Sequence, residues 1–291
     1  MLNMEVQRKS NISYNEFMEE HHNPGIPVIF TDATKVWKGN GIITPDWFRE
    51  NYPDKVSDVA DKVTGTPYTM REVLDLVENS SVEKPAPYPL TFNITHEIPE
   101  MLDLLMPLSL NYAKPNWLEN NAFKRGNWGG IIELFIGGPG GKFPYVHKDY
   151  YHLSAWINQL YGEKRFTVFP RGQEEFLYAT EKNQWRSEVN IFEPDFDKHP
   201  KFKHATPISF TVGPGETLYI PFGVWHSAYS LTPTISVAFD QLNSKNFPGF
   251  MEDVWYFKNQ ESTKVKAMAA YVYALASGAM CKIKDSMISA K

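Results

Sequence analysis

The sequence predicts a mostly β fold with flanking helices, and three observations support that expectation. From about residue 127 onward, short runs rich in β-branched and aromatic residues are punctuated by Gly and Pro, as in a sandwich or barrel. Helical periodicity precedes this region and returns after it. Aromatic residues make up 14% of the chain and cluster in the strand-like runs, which suits a wide barrel with bulky filling.

Residues 12–21 (ISYNEFMEEH) read as a short helix. A strand, IPVIF at 26–30, follows the turn residues Asn23, Pro24 and Gly25. Thr44 is placed to cap a second helix that opens on Pro45. VSDVA at 56–60 reads as a strand. Residues 69–79 carry Met70, Val73, Leu74, Leu76 and Val77, a helical pattern capped by Thr69. Three prolines make 81–90 a connector, and 99–106 reads as a short helix. The strand-like runs are GGIIELFIGG, SAWINQLYG, KRFTVFP, ISFTVGPGETLYIPF and PTISVAFDQL. Over 249–281 the pattern is helical again, with Val265, Met268, Ala269, Val272, Leu275 and Ala276 on one face.

A chain of 291 residues suits one large β domain with added helices, or at most two domains. No linker or internal repeat interrupts it. The expected organisation is a compact domain over 1–243 with N-terminal α/β decoration, followed by a helical extension over 244–291. The net charge is −5 and no long basic run appears, which argues against nucleic acid as the main partner. The single cysteine, Cys281, excludes an internal disulfide and a Cys-based zinc site within one chain. The opening residues lack an apolar signal core, and no stretch reaches the length of a membrane span. A soluble cytoplasmic protein is expected.

The chemistry is expected in three segments. In Tyr145-Val146-His147-Lys148-Asp149-Tyr150, an extended chain projects His147 and Asp149 to the same side. With a second histidine from elsewhere they would form two imidazoles and a carboxylate on one face of an octahedral metal. That leaves open positions, an arrangement suited to non-haem iron(II). The segment from Gly213 to His226 (GPGETLYIPFGVWH) turns, runs as a strand and bends at Pro221, which either aims His226 into a barrel or buries a Trp-His pair in a hairpin. Lys164 is either an inward cation for a dicarboxylate or a solvated hairpin lysine. Tyr145, Tyr150, Tyr151 and Trp225 flank the donors and either line a substrate site or fill the core. His152 falls on the opposite side of a strand and is not expected as a ligand. Glu133 is a candidate inward group.

Taken together and in this order, these segments resemble the JmjC-type, cupin-like family of 2-oxoglutarate oxygenases, whose members include asparaginyl and lysyl hydroxylases. The resemblance covers about 12–243. It includes the PVIF strand, Trp117, the Gly126-Asn127-Trp128-Gly129 stretch, and an insert running from Phe192 through His199 to Phe202. It implies a double-stranded β-helix (a cupin or jelly-roll barrel), with iron held by His147, Asp149 and His226. By the same resemblance Lys164 binds the far carboxylate of 2-oxoglutarate, with Thr91 or Asn93 as helpers. Of the flanking aromatics, Tyr145, Tyr150 and Trp225 are the candidates to face the substrate.

The implied activity is hydroxylation of an unactivated C–H bond on a protein side chain, peptide or amino-acid-like substrate, with release of succinate and carbon dioxide. A homodimer through the C-terminal helices is also implied. Three positions depart from the family pattern. Pro144 stands where a Thr is frequent, Ala238 where the last core strand often has a polar residue, and Thr91 where a Tyr is usual. The alternatives are a metal cupin of another class, such as an isomerase or a 2-oxoglutarate-independent dioxygenase, and a non-catalytic scaffold.

Overall fold

The computed structural model describes residues 5–108, 114–180 and 183–289. In chain order the elements are β1 (Gln7–Lys9), α1 (Tyr14–Phe17), β2 (Val28–Phe30), α2 (Pro45–Asn51), β3 (Val56–Asp61), β4 (Thr66–Thr69), α3 (Met70–Glu78), β5 (Leu90–Asn93) and α4 (Ile94–Glu97). There follow α5 (Asn121–Arg125), β6 (Ile132–Gly137), β7 (Ser154–Tyr161), β8 (Lys164–Phe169), β9 (Ile208–Val212), β10 (Thr217–Ile220), β11 (Trp225–Ser230), β12 (Thr234–Gln241), α6 (Phe247–Glu261) and α7 (Lys264–Ser289). Among the described residues the strands form a nine-stranded sheet, β1-β2-β10-β7-β12-β6-β5-β3-β4, and a three-stranded sheet, β11-β8-β9. The two sheets make a jelly roll, with no ladder among the described residues closing them into one continuous barrel.

Local chemistry explains the helical starts. Thr44 Oγ1 accepts from Trp47 N at 3.1 Å ahead of Pro45, and Thr69 with Glu72 forms a reciprocal capping box. The expected helix at 12–21 is shorter as an α-helix and continues as a π-turn over Met18–His22. The segment 99–106 is a 3-10 turn, Pro99–Leu104. Gly215, at φ +84, makes the turn between β9 and β10 that a side chain would strain.

The central strands are buried on both faces, and their alternation divides the core from the site. On β6, β7 and β12 one set of residues (Ile132, Leu134, Ile136, Trp156, Leu160, Ile235, Val237, Phe239) packs against the N-terminal helices, joined by Phe17, Phe48 and Leu74. The other set (Glu133, Phe135, Ala155, Ile157, Ala238, Asp240) lines a cavity between the sheets. A second apolar cluster joins Trp117, Phe123 and Trp128 to Phe250 and Val254 of α6 and Ala274 of α7. The insert between β8 and β9 has its own core of Leu177, Val189 and Phe202, which closes over Trp225.

Candidate metal centre

His147 and His226 face each other because their backbones pair. His147 N donates to His226 O at 2.9 Å, and His226 N donates to His147 O at 2.7 Å. On its other side the same short stretch is held by the insert, where Lys148 N donates to Trp185 O and Ser187 N to Val146 O. Asp149 follows in extended conformation, at φ −63 and ψ 143, and turns its carboxylate to both rings. His147 Nε2 and His226 Nε2 each lie 3.9 Å from Asp149 Oδ1. The ring centroids are 4.3 Å apart, and one donor atom from each residue lies within 4.8 Å of the others.

The donor set fits a divalent cation. His226 Nδ1 lies 3.1 Å from the Val224 carbonyl, so it carries the proton and Nε2 keeps a free lone pair. Burial lowers the His226 imidazole to about 4. Burial first, and then the neighbouring His226, hold His147 well below its ordinary value. Both rings are therefore neutral at physiological pH, as ligands must be. Burial, with a smaller contribution from Glu133, pushes Asp149 up to about 7, a penalty that a cation between the three donors would reverse. Phe143 stacks on the His147 ring at 4.4 Å and 18°.

The donors open into a cavity of about 1160 Å³. Lys164 lines the same cavity and is 2% exposed. Its ammonium donates to Ser236 Oγ at 2.8 Å, and Ser236 in turn donates to Gln159 Oε1 at 2.6 Å. The Tyr88 ring lies 5.4 Å from Nζ. Among the described residues no carboxylate pairs with Lys164, and burial lowers its ammonium to about 7. A buried cation without a counter-charge is what a ligand carboxylate would satisfy.

The structure sorts the other expected residues. Tyr145 and Tyr150 line the cavity, as do Tyr151 and Glu133. Trp225 does not: strand alternation that turns His226 inward turns Trp225 outward, into the insert core, fully buried with Nε1 donating to Glu174. Thr91 is buried and lies outside the cavity wall, while Tyr88 from the preceding connector faces the ammonium instead. Asn93 lines the cavity, but its Oδ1 caps α4 by accepting from His96 N. The polar residue of β12 that meets Lys164 is Ser236, two positions before Ala238 and on the same face. His152 is not on a strand; it belongs to a tight turn and pairs with Asp253.

The sequence reading missed Arg186, whose guanidinium covers the Tyr145 ring at 4.2 Å while Nε donates to the Tyr150 hydroxyl. It also missed Asp240, held well above the usual carboxylate range by burial, Asp149 and Glu133. A polar residue two positions from Ala238 on an alternating strand was the available signal for both Ser236 and Asp240.

Two facing sheets that gather two imidazoles, one carboxylate and a buried lysine in one cavity define the class: a jelly roll with a candidate metal centre open to that cavity. The chain belongs to the cupin-like domain family, whose model matches residues 14–240. Among curated relatives it is 27% identical over 266 residues to lysine-specific demethylase JMJ21 of Arabidopsis thaliana, covering 86% of this chain and 26% of that protein. It is 24% identical over 286 residues to the human 2-oxoglutarate and iron-dependent oxygenase JMJD4, covering 90% of this chain and 66% of that protein. It is 24% identical over 284 residues to arginine-specific demethylase JMJ20 of Arabidopsis thaliana, covering 86% and 60% respectively. The chain thus spans between about a quarter and two thirds of the length of these relatives.

Proposed function

We propose that this protein is an Fe(II)- and 2-oxoglutarate-dependent dioxygenase that hydroxylates an unactivated C–H bond. The observation that carries the proposal is one cavity holding His147, Asp149 and His226 together with the buried ammonium of Lys164, which has no carboxylate partner among the described residues. His147, Asp149 and His226 would hold the iron. When bound, iron supplies oxygen activation coupled to oxidative decarboxylation of the cosubstrate to succinate and carbon dioxide.

The chain's own residues bind and orient. Lys164 takes the far carboxylate of the cosubstrate as a point charge, with Ser236 fixing the ammonium. Tyr88, kept as a neutral phenol by burial, faces the same ligand. Phe143, stacked on His147, contributes apolar wall beside the donors, and Phe166 and Ala228 add further apolar lining.

The substrate side is the outer cavity, where Tyr145, Tyr150 and Arg186 stand near the metal ligands and Glu133 and Asp240 face them from β6 and β12. Glu133 is paired with Lys62. Relatives named for lysine and arginine make a basic protein or peptide side chain the preferred substrate for these carboxylates. The volume exceeds what a metal and a five-carbon diacid fill.

The extension over 244–291 is proposed to mediate homodimerisation. Along α7, Val265 is 80% exposed, and Met268, Val272, Leu275 and Ile283 follow it on the outer side at helical spacing. No helix among the described residues is long and apolar enough to cross a membrane.

The test is succinate release and a 16-dalton gain in a library of peptides and amino acids, run with Fe(II), oxygen and 2-oxoglutarate. No succinate, with or without substrate, refutes the oxygenase and favours a metal cupin of another class.

A further inference from the structure

The turn that follows Asp149 is strained, and α6 holds it. Tyr151 and His152 lie at φ 58 and φ 50, two successive non-glycine residues in the left-handed region. Such a pair persists only where surrounding contacts over-determine it. The contacts on Tyr151 and His152 come largely from α6 and the residue that starts it, while Arg186 and Trp185 of the insert meet Tyr150. Asn246 Nδ2 donates to the His152 carbonyl at 2.9 Å and to the Gln241 carbonyl at 3.0 Å, tying the turn to the end of β12. His152 Nδ1 donates to Asp253 Oδ2 at 3.0 Å, and Asp253 is 3% exposed. The His152 ring lies flat against Gly249, where a Cβ would stand 2.3 Å from Cδ2. Tyr151 packs on Phe250 and Phe257, and Tyr150 packs on Phe257.

We infer that Asp253 and Gly249 are positioning residues for the metal centre: by clamping His152 they hold the strained turn that keeps Asp149 aimed at His147 and His226. A carboxylate buried on an otherwise apolar helix face is costly, and its hydrogen-bond partner among the described residues is His152. Gly249 is the complementary device. Only a residue without a side chain lets the imidazole lie against the helix, and α6 otherwise tolerates side chains at the same depth, such as Phe250 and Val254. The effect passes through backbone geometry from residue 152 to residue 149.

The inference rests on the reading of His147, Asp149 and His226 as metal ligands, so the test measures metal binding directly. Mn(II) is titrated into the full chain without oxygen turnover, and free Mn(II) is followed by electron paramagnetic resonance. Asp253→Ala and Gly249→Ala are expected to weaken Mn(II) binding about 10- to 100-fold, the scale of losing a group that orients a ligand. Asp253→Asn, whose amide oxygen can still accept from Nδ1, is expected to remain within about threefold of wild type, on the same scale. Gly278→Ala is the structural control: its Cβ would stand 2.1 Å from Phe247 Cζ, so it disturbs α6–α7 packing without touching His152 or Asp253.

Thermal melting of all variants is recorded alongside. Mn(II) binding within twofold of wild type in folded Asp253→Ala and Gly249→Ala overturns the inference. So does an equal loss in Gly278→Ala at matched melting temperature. Failure of the wild type to bind Mn(II) would instead overturn the metal reading itself, leaving the two outcomes separable.

Discussion

Replacing Lys164 by Met should stabilise the empty protein while strongly weakening cosubstrate binding, two effects of opposite sign from one side chain. Lys164 is 2% exposed and lacks a carboxylate partner among the described residues. Depression of its ammonium from 10.5 to about 7 by burial corresponds to roughly 4–5 kcal/mol against folding at pH 7. Water in the cavity and the bond to Ser236 offset part of that, so a gain of about 1–4 kcal/mol is expected for a Met of similar length. Ser236 keeps its own bond to Gln159, so no new polar group is stranded.

The sign with pH follows from proton counting. Between pH 7 and 10.5 the unfolded chain holds more protons at this position than the folded one, so wild-type stability from this group rises with pH across that window. The Met variant should lose that slope. Binding of 2-oxoglutarate raises the Lys164 pKa again. Affinity is therefore full below about pH 7 and falls as pH rises through the value in the complex. Removing one member of such a buried charge pair costs about 2–5 kcal/mol, on the order of thirtyfold to several-thousandfold in affinity. Chemical denaturation across pH and calorimetric titration of 2-oxoglutarate measure both arms. A variant that binds the cosubstrate like wild type, or that is less stable when empty at pH 7, refutes the reasoning.

Asp149→Ala should weaken Mn(II) or Fe(II) binding by more than about 100-fold, read by metal titration, because two imidazoles alone remain. In the wild type, metal affinity should fall about tenfold per pH unit below about 7, since the raised Asp149 carboxyl must lose its proton to bind; a flat profile from pH 5 to 7 would contradict this. Trp225→Ala should cost about 3–5 kcal/mol of stability by denaturant melting through cavity formation in the insert core, and folded protein should keep its cosubstrate affinity. Val272→Lys should convert a dimer into a monomer in light scattering, with wild type already monomeric at micromolar concentration as the contrary result.

The β region and its helical flanks were legible because period-two and period-3.6 patterns survive in short runs, and GPGETLYIPFGVWH reads as turn, strand and bend without further help. The metal donors were legible for the same reason: residues two apart in extended chain share a side. What the sequence hid depends on which neighbour fills a given space. Trp225 and His226 are adjacent and point oppositely, so assigning both to one wall contradicted strand alternation itself. Tyr88 sits in a proline-rich connector outside any period, and only the folded edge of β5 brings its ring to Lys164. Ser236 was overlooked because Ala238 was matched by position rather than by face. Arg186 reaches the cavity from an insert with no regular element, through backbone pairing to His147 that leaves no pattern in residue type. On α7 the stripe at 265–276 was visible, yet the helix packs through Ala267, Ala274 and Cys281, another face of similar apolarity.

The split between helix-facing and cavity-facing residues on β6, β7 and β12 gives the molecule two nearly independent genetic alphabets on the same strands. Changes at Glu133, Phe135, Ile157, Ala238 and Asp240 rewrite what the chamber accepts, while Leu134, Trp156 and Val237 on the reverse side continue to anchor the scaffold. A library confined to the first set should therefore redirect selectivity with most members still folded, and the same diversity placed on the second set should yield mostly insoluble chains.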